Sequence, residues 1–98
     1  VSGFQGPFAQ QVRVVGEAAE PQSIPYRAHM TLLDVMIAVG GITEFASGNR
    51  ARLVRFDGGS GSQSEYRVRI DSLLKDGDIS ANVRIEPGDV IIIPESFF

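Results

Sequence analysis

The first clear period along the chain is that of a strand. Val12, Val14 and Val15 open it, and Gly16-Glu17 supplies a turn out of it. Beyond Pro21, the residues Ile24, Tyr26 and Ala28 alternate with Ser23, Pro25 and Arg27, which predicts a second strand. Pro25 has no N–H to give to a ladder, so this strand is expected at a sheet edge or bulged there. The period then changes. The run from about Leu32 to Val39 (LLDVMIAV) predicts a helix, with Leu33, Met36 and Ile37 on one face and Leu32, Val35 and Val39 widening it. Only Asp34 in it is strongly polar, so the helix should be largely buried. Thr31 stands at the N-cap with Asp34 three residues on, as in a capping box. Gly40-Gly41 ends the helix.

The second half returns to strands. Ile42 to Asn49 is expected to be irregular or briefly helical, and Arg52 to Phe56 reads as a strand. The polar stretch DGGSGSQS, Asp57 to Ser64, predicts a flexible loop. In Glu65 to Ile70, Tyr66, Val68 and Ile70 fall on one face and Arg67 and Arg69 on the other, as in a strand with one wet side. Asp71 to Leu74 allows one helical turn, and Asp76 to Asp78 a tight turn. Glu86-Pro87-Gly88-Asp89 has proline and glycine where a type II turn needs them. Val90 to Ile93 is apolar on both faces, which predicts a central strand covered on one side by the helix, with Met36 and Ile92 in the core. A hairpin, one crossing helix and a closing buried strand predict an α+β fold. The expected form is a β-grasp (ubiquitin-like roll), a mixed sheet with one main helix packed on one face.

Composition narrows the function. A chain of 98 residues, 43% apolar and 21% charged, suits one compact domain. A net charge of −3 argues against a dedicated nucleic-acid binder. The lack of cysteine removes disulfides, thiolate metal sites and cysteine nucleophiles, and His29 alone cannot build a multi-histidine site within one chain. No run approaches the ~20 apolar residues of a spanning helix, so this stretch is not expected to be membrane-inserted. The opening VSGFQGPF has neither the basic start nor the apolar centre of a signal peptide. Together with the absent initiator Met, it suggests an excised fragment or a processed product.

No motif points to catalysis. Gly40-Gly41 and Gly58-Gly59-Ser60-Gly61 do not fit the phosphate loops. Asp71, Asp76 and Asp78 lack the calcium-loop spacing. His29 reads as a surface residue, and Ser60, Ser62 and Ser64 have no activating base. An enzyme, a resident metal and a cofactor are therefore not expected. Arg13, Arg67 and Arg69 should point away from the apolar faces of their strands, with Arg55 a candidate fourth. Guanidinium forks suit carboxylates, phosphates and sugar hydroxyls, so this stripe would meet an acidic polysaccharide or an acidic protein neighbour. The plainer reading is a solvated face paired with local Glu and Asp. Phe97 and Phe98, with Phe4 and Phe8, would form an exposed patch or close the bottom of the core. Tyr26 and Tyr66 fit core-facing strand positions, which argues against an aromatic sugar platform.

The order of the motifs carries a resemblance. VRVVGEAAEPQSIPY resembles the opening strand, turn and second strand of the SLBB domain (soluble-ligand-binding β-grasp), with Pro21-Gln22 where that pattern often has Pro-Gly. MTLLDVMIAVGGITEFA resembles its helix and the A-G-G-x-T motif that follows. RARLVRF resembles its third strand and IEPGDVIIIPESFF its closing segment. The likeness runs from about Gln11 to Phe97 and is greatest to Wza-type outer-membrane polysaccharide export proteins of exosortase-associated exopolysaccharide systems. It implies that residues 1–10 lead in from a preceding export domain and that 11–98 form the SLBB domain. It also implies a place at the periplasmic face of the outer membrane of a Gram-negative bacterium, within a larger lipid-anchored protein. The implied partners are other copies in a ring, an inner-membrane polysaccharide co-polymerase and the exopolysaccharide itself. Two roles follow as expectations: an assembly module of the exporter, or a carbohydrate-binding module that touches the polymer.

Overall fold

The computed structural model describes residues 11–56 and 62–96. The expectations for Phe4, Phe8, Phe97 and Phe98, for the lead-in at 1–10 and for most of the 57–64 loop lie outside the described residues.

Five strands form one mixed sheet. In chain order they are β1 (Gln11–Gly16), β2 (Ser23–Pro25), β3 (Ala51–Phe56), β4 (Gln63–Val68) and β5 (Val90–Ile93). Their order across the sheet is β2-β1-β5-β3-β4. Only the β1–β5 pair is parallel; β1–β2, β3–β4 and β3–β5 are antiparallel. Among the described residues, two helices, α1 (Leu32–Ala38) and α2 (Ile70–Lys75), and two short 3₁₀ turns, Gly48–Arg50 and Ile79–Ala81, accompany the sheet. A β-hairpin, a crossing helix and a last strand inserted beside the first make the expected β-grasp.

The first hairpin is shorter than its alternation predicted. β2 ends at Pro25, which stands opposite Gln11 at the sheet edge. A turn follows, closed by the Met30 N–H on the Arg27 carbonyl at 3.1 Å. Tyr26 still packs against the core, while Ala28 and His29 are exposed.

The main helix starts where the cap predicts. The Asp34 carboxylate accepts the Thr31 N–H at 3.0 Å and the Thr31 hydroxyl at 3.2 Å. The next donors are taken from outside the helix: Leu32 N–H bonds the Val83 carbonyl at 2.8 Å and Leu33 N–H the Asn82 side-chain oxygen at 2.9 Å. A seven-residue helix is too short to stand alone in water, so these bonds and its buried face hold it. That face is Leu32, Val35, Met36 and Val39, the i, i+3, i+4, i+7 set. Ile37, expected on the apolar face, is 70% exposed, because at about 100° per residue it turns away from this face, while Leu33 at its margin packs against the core. At the far end Gly40 N–H bonds the Ile37 carbonyl at 3.2 Å and Gly41 N–H the Met36 carbonyl at 2.8 Å. This is a Schellman stop, and the positive φ of Gly40, the first residue past the cap, is what it requires.

Gly16 is fixed by a different demand. A Cβ there would lie 2.1 Å from the Ile93 carbonyl oxygen, at a backbone φ of +96°. The β1–β5 approach therefore admits only glycine. Glu17 then donates its N–H to Ile93 at 2.9 Å and accepts the Thr43 hydroxyl on its carboxylate at 2.9 Å. The Gly-Glu and Gly-Gly-x-Thr motifs are thus parts of one joint.

One core cluster joins β1, β3, β5, α1 and α2, with Val12, Val14, Leu53, Ile91, Ile93, Met36 and Ile70 among its members. Ile91 and Ile93 point into it, and Val90 and Ile92 point to the other face, where they are half-buried. Ile92 is therefore not the core residue expected from apolarity alone. Alternation in β4 also stops earlier than predicted: the strand ends at Val68, and Ile70 enters the core from the first turn of α2. Ile91→Asp should abolish the cooperative urea transition, since an unpaired buried charge costs several kcal/mol against a typical stability of ~5–15 kcal/mol. Ile92→Asp should retain that transition at reduced midpoint. Equal loss in both variants would contradict the assignment of faces.

Candidate functional site

Strand register decides which side chains share the open face of the sheet. Leu53, Ile91 and Val14 lie in register on the helix side. One residue along, Val15, Ile92, Arg52 and Arg67 form a row on the opposite side, and Ser23, Arg13, Val90, Val54 and Glu65 form the next. Phe56, opposite Gln63, belongs to the row after that. The apolar members Val15, Ile92, Val90, Val54 and Phe56 therefore run diagonally across the sheet. Arg13 flanks this band on one side, and Arg52 and Arg67 flank it on the other. Val15 and Phe56, at its two ends, are 44% and 49% exposed. Val54 is buried but stands outside the core cluster, as a residue of the opposite face must.

The arginine stripe expected from the sequence is thus divided. Arg13 and Arg67 lie on the open face, with two strands between them. Arg69 follows the end of β4 and pairs with Asp78 at 3.5 Å. Arg55 belongs to the other face, in register with Ser64. Its guanidinium donates to Asp89 from Nε at 3.1 Å and from a terminal nitrogen at 2.9 Å, and to the Arg84 carbonyl at 3.2 Å. The hydrogen bond to Asp89 raises the Arg55 pKa above the ordinary arginine value, against the opposing effect of partial burial. Arg55 is therefore a structural cation, and its guanidinium also sits 5.5 Å from the centre of the Tyr66 ring. Tyr66 is not in the core as predicted. It is 49% exposed, because β4 is the edge strand and the core ends at Leu53 opposite it.

Two residues that the sequence reading passed over join Arg67. Arg50, at the end of the first 3₁₀ turn, and Arg52, at the start of β3, line with it a cleft of about 450 Å³, which Glu65, Pro94 and Glu95 close. Arg52 stands directly opposite Arg67 and 3.5 Å from Glu65. The alternation in RARLVRF carried this signal: Arg50 and Arg52 alternate with the inward Ala51 and Leu53, whereas Arg55 has the parity of Leu53. A second groove, of about 480 Å³, lies between α1 and the end of β2, lined by Ile24, Arg27, Met30, Asp34 and Ile37. Among the described residues no group of His, Cys, Asp or Glu is placed to hold a metal ion, and no helix is long and apolar enough to cross a membrane.

Asp89 is the other residue missed. It is fully buried, and besides the Arg55 fork its carboxylate accepts the Glu86 N–H at 2.9 Å. Removing Arg55 would leave this carboxylate buried and unpaired. Removing the Asp89 charge would leave a guanidinium that already reaches water. Arg55→Ala should therefore cost about 3–5 kcal/mol and Asp89→Asn clearly less, by urea denaturation. The reverse order would refute this account of the pair.

Asp78, the partner of Arg69, has its carboxyl held below the ordinary aspartate range, first by the Ser80 hydroxyl and more weakly by the Ser80 N–H and Arg69. With a lowered folded pKa, its small stabilising contribution is present above the unfolded value and lost as pH falls through the folded one. Carboxyl-carbon NMR should show Asp78 titrating low, and Ser80→Ala should raise it; an unmoved titration would remove Ser80 as the cause.

The family model for the SLBB domain matches residues 10–93, nearly the whole chain.

Proposed function

The chain belongs to the SLBB domain family, and on that premise we propose that it is an assembly and interaction module of an outer-membrane exopolysaccharide exporter of the Wza type. It works at the periplasmic face of the outer membrane, within a larger lipid-anchored protein of an exosortase-associated system. Its open sheet face meets a neighbouring copy of the same exporter in a ring. The module holds subunits in place and performs no catalysis. Contact with an inner-membrane polysaccharide co-polymerase belongs to the same reading.

The observation that carries it is the diagonal band from Val15 to Phe56, edged by Arg13, Arg52 and Arg67. Protein interfaces have this composition: an apolar centre, with arginine enriched and lysine depleted. Of the nine Lys and Arg residues in the chain, only Lys75 is a lysine. The motif order described above supports the exporter setting.

The test uses the full exporter in its own bacterium. Val15→Glu with Phe56→Glu places two charges on exposed ends of the band, so the melting transition of the domain should change little. Cross-linked rings and exported polymer should both fall by about tenfold or more, as expected when charges are buried without partners at an interface. Normal rings and normal export from that folded variant would remove this face from assembly.

A further inference from the structure

We propose that the cleft of Arg50, Arg52 and Arg67 binds the carboxylate of an acidic sugar unit, of the uronate class, within a polymer. The proposal rests on the exporter reading for the source of the polymer, and on the cleft alone for its chemistry.

Arg52 and Arg67 face each other directly across the β3–β4 ladder, and like charges in that position repel. Arg50 adds a third guanidinium at the same cleft. Glu65 answers only Arg52, at 3.5 Å. Among the described residues, neither Arg50 nor Arg67 forms an ion pair. A chain of net charge −3 thus gathers three cations at one corner of its open face and leaves two of them unanswered. A planar carboxylate fits the guanidinium fork in two parallel bonds and relieves the repulsion.

The remaining cleft residues select among carboxylate-bearing ligands. Glu65 and Glu95 present acceptor oxygens. They can take hydrogen bonds from hydroxyl groups. A uronate offers one carboxylate and several hydroxyls, so it uses both sets. An acidic peptide offers the carboxylate without the hydroxyls, and a neutral sugar leaves the guanidinium repulsion in place. At about 450 Å³ the cleft is similar in size to the other groove, of about 480 Å³, so its charge rather than its volume marks it. The exposed arginines leave it open to solvent, so a unit inside a longer chain can lie across it.

The test is calorimetric and NMR titration of the 98-residue chain with galacturonate oligomers at low ionic strength. Saturable, salt-sensitive binding is expected. Arg52→Gln with Arg67→Gln should weaken it at least about tenfold, while Arg27→Gln, in the other groove, should leave it unchanged. Should the first pair fail to fold, Arg50→Gln with Arg67→Gln keeps the Arg52–Glu65 pair and should show the same loss. Neutral malto-oligomers and polyglutamate should not saturate the site. No galacturonate binding, binding indifferent to both double variants, or equal binding of malto-oligomers would overturn the proposal. Binding of polyglutamate as tight as galacturonate would overturn it in favour of an acidic protein segment. The titration needs no ring, so its failure would leave the assembly reading standing, and normal rings in the Val15/Phe56 variant would leave the cleft standing.

Discussion

One buried carboxylate sets where the last strand lies. Asp89 ends the Glu86–Asp89 turn, with its N–H on the Glu86 carbonyl at 3.2 Å and its carboxylate on the Glu86 N–H at 2.9 Å. Its carbonyl accepts the Arg13 N–H of β1 at 3.0 Å, and its side chain holds the Arg55 fork of β3. A single residue thus ties the two strands between which β5 must enter. A buried ion pair need not add net stability over an apolar substitute. Its directional bonds do favour one register. A slip of one residue in β5 would send Ile91 and Ile93 to the open face and bring Val90 and Ile92 into the core.

That register gives the sheet two unlike faces. The helix side is closed by one cluster to which α1, α2 and the second 3₁₀ turn all contribute. The other side keeps an apolar diagonal that the described helices do not cover, and the rows around it carry arginines. The arginines of the two faces differ in freedom. Arg52 has a carboxylate neighbour that is itself half exposed, at 49%, so that pair is weak. Arg55, by contrast, is held by a carboxylate that is only 1% exposed. The face of the sheet on which each lies separates the structural Arg55 from Arg52 and Arg67.

Local features were legible in the sequence. The Thr31–Asp34 cap, the Gly40-Gly41 stop, the Glu86–Asp89 turn and the central place of Val90–Ile93 each follow from a few adjacent residues, and each is found. The edge position of β2 followed from Pro25. What could not be read depends on pairing across the sheet. Tyr66 alternates like a core residue, but it lies on the edge strand, where no helix covers it. Ile37 belongs to the apolar run of the helix but turns away from the face that packs on the core. Arg55 and Asp89 are 34 positions apart, and nothing in either segment announces the other. The cleft was half legible: parity in RARLVRF sets Arg50 and Arg52 against Ala51 and Leu53, but only the register places Arg67 opposite Arg52.

The shared geometry of band and cleft follows from β3. That strand is paired on both sides, to β5 and to β4, so its backbone cannot shift without disturbing both ladders. Arg52 and Val54 are consecutive outward residues of it, the first at the cleft and the second in the band. A guanidinium on so fixed a backbone loses less freedom on binding than one on a loop, and its planar fork is already organised for a carboxylate. The same rigidity holds Val54, Val90 and Ile92 as a continuous apolar surface. In a β-grasp the strand beside the last one is thus a suitable place to present a contact surface, because the fold's own hydrogen bonds supply the rigidity that recognition needs.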